Sequence, residues 1–158
     1  MTRRVSILIL LTTLLLGGWL WSEGKKPDGG LRIHLQIAAG ALQQNSQTAS
    51  VTLLDPEEVI TVSVLPELTE NQVEDIRPIM NGDQMGMAIQ FDRRGASILN
   101  HLTIEGQGRV MVVYLNNRIV YSPIMDSVID NGILVIPSGV VPKDIETMKL
   151  ILKKLKAG

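Results

Sequence analysis

From Leu31 to Ile37 the chain reads LRIHLQI, with Leu31, Ile33, Leu35 and Ile37 alternating with Arg32, His34 and Gln36. This period of two predicts a half-buried strand, and it points His34 away from the apolar face. Residues 38–48, AAGALQQNSQT, are small and amide-rich without a sustained period, and read as a connection. Extended structure resumes in VTLLDPEEVITVSVLPEL, with Ile60, Val62 and Val64 on one face and a turn at Asp55-Pro56. Thr69-Glu70-Asn71-Gln72 has the form of a capping box. With Val73 and Ile76 following on one face, it predicts a short helix that Pro78 ends.

Met85, Met87, Ile89 and Phe91 alternate as another strand. Asp92 then caps a helix that buries Ala96, Leu99 and Leu102 before Gly106 and Gly108 break it. A strand over RVMVVYL follows. Asn116-Asn117 tolerates the positive φ angles of a two-residue hairpin loop, and Asp130-Asn131-Gly132 offers the same chemistry, so Leu115 to Ile136 reads as a meander. The last helix starts at Pro142, a favoured first position, and places Ile145, Met148, Leu152 and Leu155 on one face with lysines near its end. The sum is an α+β domain, a mixed or antiparallel sheet with two or three helices packed on one face. Met87, Ile89, Val110, Val112 and Ile119 are expected to be buried against the helices led by Leu99 and Leu152.

Ahead of this body, Arg3 and Arg4 precede an uncharged run from Val5 to Trp21. A helix of roughly 17 residues spans about 26 Å, at the short end of what crosses a bilayer. Leu11 lies near its centre, and Trp19 and Trp21 stand where an interfacial aromatic belt would lie. The cleavage pattern near Ser22-Glu23-Gly24 is poor, which favours residues 1–24 as an uncleaved anchor over a removed signal peptide. The basic pair predicts a cytoplasmic start and an exported body; Lys25 and Lys26 are the counter-signal. Residues 25–30, KKPDGG, form a polar linker, and residues 31–158 are the exported domain.

The chain has 158 residues, a net charge of −1, 3% aromatic residues and no cysteine. One compact domain fits this length. A near-neutral surface poor in stacking side chains argues against a nucleic-acid partner, and the lack of cysteine removes disulfides, thiolate metal sites and a cysteine nucleophile. Catalytic signals are weak throughout. Glu57 and Glu58 are adjacent and read as a solvated pair rather than an acid/base couple. His34 and His101 are far apart in sequence, with no further ligand at helical spacing. Asp126 with Asp130-Asn131-Gly132 departs from the alternating oxygen pattern of a calcium loop. Ser122, Ser127 and Ser138 lack a nucleophile-elbow context, and the methionines fit core filling better than an adaptable binding surface. No cofactor, metal or small-molecule ligand is expected.

From Met87 onward the order of residues resembles the head of the first periplasmic domain of SecD, the membrane subunit that assists bacterial protein export. The carriers are Phe91-Asp92, Gly95-Ala96, Leu102-Thr103, Gly108-Arg109, Leu115-Asn116-Asn117, Ile119, Ser122-Pro123, Ile129, Gly132, Ile136 and Gly139. VITVSVLPELTENQVEDI resembles the strand and short helix ahead of them, so the resemblance runs from about Val59 to Leu155. Asn116-Asn117 stands for the family's Asp-Gly, and Val140-Val141-Pro142 departs from its aromatic and Ser/Thr cap. SecD itself continues into further membrane spans that couple proton flow to export; this chain is expected to be no pump.

The resemblance implies a non-catalytic binding module at the bacterial inner membrane, its body periplasmic, contacting polypeptide or an envelope or export partner. Secretion after signal cleavage is the alternative location. A small exported enzyme and a structural subunit of an envelope assembly are the alternative functions. The bend at Ser122-Pro123 places Tyr121, Pro123 and Ile124 as partner contacts. Proline limits ladder pairing, so the bend is either an open edge for an added strand or a buried structural corner.

The anchor expectation has a direct test. Full-length protein should fractionate with membranes and resist alkaline washing, and a charged residue at Leu11 should cost roughly 3 kcal/mol of insertion. A soluble mature chain beginning near Lys25 would refute it.

Overall fold

The computed structural model describes residues 29–38, 47–54 and 56–158. Strand β1 (Leu31–Leu35) forms where the alternation predicts and pairs antiparallel with β7 (Met111–Leu115), from Leu31 opposite Leu115 to Leu35 opposite Met111. With β4 (Leu68–Thr69) and β8 (Arg118–Tyr121) they make a sheet of order β4-β1-β7-β8. A second antiparallel sheet has the order β5-β6-β9, from β5 (Val73–Asn81), β6 (Gln84–Phe91) and β9 (Ile133–Ile136). Helices α1 (Arg93–Glu105) and α2 (Pro142–Ala157) complete the core between these sheets, where Ile33, Ile89, Leu99, Leu115, Ile136 and Met148 are fully buried. The α+β expectation holds, with two α-helices among the described residues.

A third layer was hidden in the polar half of the β1 pattern. β2 (Thr48–Leu54) and β3 (Glu57–Ser63) pair as a ribbon, and Val51, Leu53, Ile60 and Val62 pack on Val110 and Val112. β7 is therefore buried on both faces. Met111, Val113 and Leu115 join the core that holds the helices, whereas Val110 and Val112 meet the ribbon, with Ile119 half-buried beside them. The expectation that Val110, Val112 and Ile119 face the helices is corrected on this point; Met87 and Ile89 do so. Val64, expected on the buried ribbon face, stands exposed just past the end of β3.

The short helix expected at Thr69 is a single 3-10 turn, Glu70–Gln72, followed directly by a strand. The capping box itself is present, with Thr69 N–H donating to Gln72 Oε1 and Asn71 N–H to Thr69 Oγ1. The misreading has a physical origin. A bulge between Val73 and Asp75 inserts one residue, so Val73 and Ile76 fall on the same buried face although three positions apart, a spacing that imitates a helix. Pro78 does not end this element but lies within β5, an edge strand, where proline is tolerated.

Asn116 and Asn117, at φ 51° and 64°, close the β7–β8 hairpin as expected. Asp130-Asn131-Gly132 closes no hairpin: the chain leaves the first sheet and β9 pairs with β6 in the second. In α2, Ile145, Met148 and Leu152 are buried, but Ile151 takes the next core position and Leu155 is exposed. Among the described residues no helix is long and apolar enough to cross a membrane. Leu11, Trp19 and Trp21 lie outside the described residues.

Leu99 makes a quantitative test of the core. Leu99→Ala should destabilise by about 2 to 5 kcal/mol in chemical denaturation, whereas Leu150→Ala, at a position 60% exposed on α2, should change stability by less than about 0.5 kcal/mol. Similar small effects at both positions would contradict the core assignment.

Candidate functional site

The Ser122-Pro123 bend lies just beyond β8, and the chain does not leave the sheet there. Met111 N–H donates to Pro123 O, Met125 N–H to Arg109 O and Gly108 N–H to Met125 O, each at 2.8 to 2.9 Å. Val110 and Ile124 thus face each other as a pair flanked by these bonds. In antiparallel geometry the N–H and C=O of a residue in such a pair point away from the partner strand. Those of Ile124 therefore face outward, and among the described residues neither has a hydrogen-bond partner. The Ile124 side chain is 65% exposed. Pro123 is half-buried, and Tyr121, expected to be a partner contact, is half-buried against the main core. Of the three residues expected to meet a partner, Ile124 alone presents both its side chain and its backbone.

Behind this edge the β7–β8 hairpin is tied to α2 through Asp144, a carboxylate that is 4% exposed. Pro142 starts the helix, Val141 has no side-chain oxygen to cap it, and Asp144 accepts from the Val141 N–H at 3.0 Å instead. Arg118 Nη2 donates to the same oxygen at 2.6 Å, and Asn116 Nδ2 donates to the other at 2.9 Å. Arg118 Nη1 also donates to Gly139 O at 3.0 Å. Three hydrogen bonds to this one carboxylate thus hold the turn, the connection and the helix together. Asp144 was not singled out in the sequence; its position two residues after Pro142 was the available signal.

A cleft of about 470 Å³ lies between Gly29, Gly30 and Arg32, the Thr69–Asn71 turn, Asn117, and Ile151, Lys154 and Leu155 of α2. Part of its polar lining is engaged: Arg32 Nη2 donates to Asn117 Oδ1 at 2.8 Å, and the Arg32 guanidinium lies 5.3 Å from the ring centre of neighbouring Tyr114.

The remaining candidates stay apart. Glu57 and Glu58 are exposed on β3, and Asp126 and Asp130 are exposed on the loop before β9. His101 is exposed and meets Glu105 at 3.2 Å along one face of α1. His34 points away from the main core, as the alternation predicts, but the ribbon covers it, so it is 7% exposed rather than solvated. Its Nδ1–H donates to Ser63 O at 2.8 Å, and its ring meets Tyr114 edge-on at 5.6 Å. Among the described residues no three His, Asp or Glu side chains are grouped to hold a metal ion.

Comparison with known proteins shows the family to which this fold belongs. A family model described as SecDF, P1 head subdomain, matches residues 34–156, and the chain belongs to that family. The match starts further upstream than the residues that suggested it, taking in the ribbon as well as β5 to α2. No curated protein matches the chain. A solved structure described as a membrane component SecDF that enhances protein export is similar at TM-score 0.57 and 17% identity, over 79% of this chain and 62% of that one. SecDF in its super-membrane-facing form is similar at TM-score 0.54 and 16% identity, over 83% of this chain and 19% of that one. At these identities the likeness is one of fold.

His34 generates a pH prediction. Burial lowers its pKa below the ordinary histidine value, with nearby Arg32 adding to the effect and the bond to Ser63 O opposing it. The unfolded chain then takes up the proton more readily than the folded one, so the stability contribution is full above about pH 6.5 and is lost as pH falls through the lower folded value. Denaturation midpoints should decline on acidification from about pH 6.5, and His34→Gln should flatten that part of the profile. An unchanged slope in the variant would rule out His34 as its source.

Proposed function

We propose that the body is a non-catalytic binding module on the periplasmic side of the bacterial inner membrane. It takes an extended segment, from a polypeptide undergoing export or from a component of the export machinery, as an added strand on the outer side of the segment around Ile124, just beyond β8. The observation that carries this reading is Ile124, whose outward N–H and C=O lack partners among the described residues and whose apolar side chain is exposed beside them. A strand laid on that edge gains backbone hydrogen bonds from Ile124 and side-chain contact from the same residue, the two ingredients of strand addition. Membership of the SecDF P1 head family supports the choice of partner, since a protein of similar fold is described as enhancing protein export. Anchoring through Val5 to Trp21 belongs to the same proposal and supplies the location.

The absence of cysteine lets one be placed at will. Full-length protein carrying Ile124→Cys with a photo-activated crosslinker should capture an exporting chain or an export component in membranes. The same probe at Val59, 66% exposed on the ribbon, should capture much less. Suppose instead that no exposed position captures a partner, while the purified body turns over a small substrate and loses that activity on changing Asp126 or Glu105. The exported-enzyme reading would then replace this one.

A further inference from the structure

The last two and a half turns of α2 carry Lys149, Lys153, Lys154 and Lys156, all exposed, and no acidic residue follows Glu146 in the helix. Leu150 is 60% exposed among them, whereas Leu155 turns toward the core side of the helix, where it lines a cleft with Gly29 and Ile151. Cations near a helix C-terminus complement its dipole, which accounts for part of the charge but not for Leu150. Lys153 and Lys154 follow Leu150 by three and four positions and so share its face. The two clefts flanking this end of the helix hold five cationic side chains, the four lysines and Arg32, against three acidic ones, Glu70, Glu74 and Asp75. Asp75 is already paired with Arg77 at 3.2 Å, and Lys156 Nζ donates to the backbone carbonyl of Glu74 rather than to its carboxylate.

The chain enters the domain at this same place, since Gly29 lines one cleft together with Lys154 and Leu155. From Trp21 to Gly29 is eight residues, which can span at most about 28 Å when fully extended. A domain tethered so closely has its α2 end confined near the bilayer, and confinement raises the effective concentration of any weak contact made there. The turn at Gly82 lies at the far end of β5 from Glu74 and is carried away from that surface.

We propose that the outward face at the end of α2 docks on the anionic phospholipid surface of the membrane that holds the chain, Lys149, Lys153 and Lys154 on lipid phosphates and Leu150 in the interfacial layer. This rests on the reading of Val5 to Trp21 as an anchor. The test uses the full-length chain in lipid nanodiscs, with an environment-sensitive dye on Leu150→Cys or, as a control, on Asp83→Cys beside the Gly82 turn. In discs of phosphatidylcholine mixed with phosphatidylglycerol, the dye at position 150 should shift its emission to the blue. That shift should vanish in high salt, in pure phosphatidylcholine, and in the variant Lys149→Ser, Lys153→Ser, Lys154→Ser, Lys156→Ser, while the dye at position 83 reports water throughout. All the substituted positions are exposed, so an unchanged thermal unfolding profile will show that the variants remain folded. A chain firmly inserted in anionic discs whose position 150 still reports water overturns the docking and leaves the anchor standing; an equal shift in both lipids also overturns it. A chain that enters neither disc overturns the anchor, and the docking with it.

Discussion

The pairing of β1 with β7 is the constraint on which the remaining layers depend. It joins Leu31 to Leu115 across most of the domain and makes β7 the member through which two separate apolar clusters are formed back to back. One cluster takes both α-helices and the second sheet; the other takes the ribbon. Because adjacent strand residues project to opposite faces, a strand can serve two cores only if nearly every residue is apolar, and Val110 to Leu115 meets that condition with Tyr114 as its one polar-tipped member. The outer edge at Ile124 is a product of the same pairing. With β1 already bonded to one side of β7, the segment beyond β8 takes the other, and the outward N–H and C=O of Ile124 have no partner among the described residues.

Several elements were legible because local chemistry and tertiary context agree. β1, β6, α1 with its Asp92 cap, the Asn116-Asn117 hairpin and the start of α2 at Pro142 each carry a period or a turn requirement that the fold satisfies unchanged. Where the sequence misled, a second layer or an irregularity intervened. His34 sits on the polar side of a strand, yet β3 lies over it and Ser63 O accepts its proton, so an alternation that normally marks solvent here marks another protein layer. The bulge after Val73 converted a strand into an apparent helix period. Asp130-Asn131-Gly132 has turn chemistry, but its Gly132 at φ 70° serves a crossing between sheets, and its ideal Cβ would lie 2.6 Å from that of Ala96 on α1.

The candidate site divides in the same way. The irregular pairing at Pro123 and Ile124 was legible because a proline beside an apolar residue near a strand end signals it. Tyr121 could not be separated from them, since an aromatic side chain beside an open edge serves equally well as core, and here its ring packs inward. Asp144 gave little notice because its side-chain donors, Asn116 and Arg118, lie 28 and 26 residues away in sequence, a separation at which no local pattern operates.

That carboxylate also ties together pieces that would otherwise open separately. A helix whose first turn is capped by its own side chain can usually fray or form alone, but Asp144 is buried, and its neutralising Arg118 belongs to a hairpin on another element. Opening the hairpin would leave a buried charge without its partner, and opening the helix would leave the Arg118 head group without its carboxylate and Asn116 without its acceptor. The β7–β8 turn, the Gly139–Val141 connection and the first turn of α2 therefore form one cooperative unit, in which amide protons on all three should exchange together rather than in the order of their individual exposure.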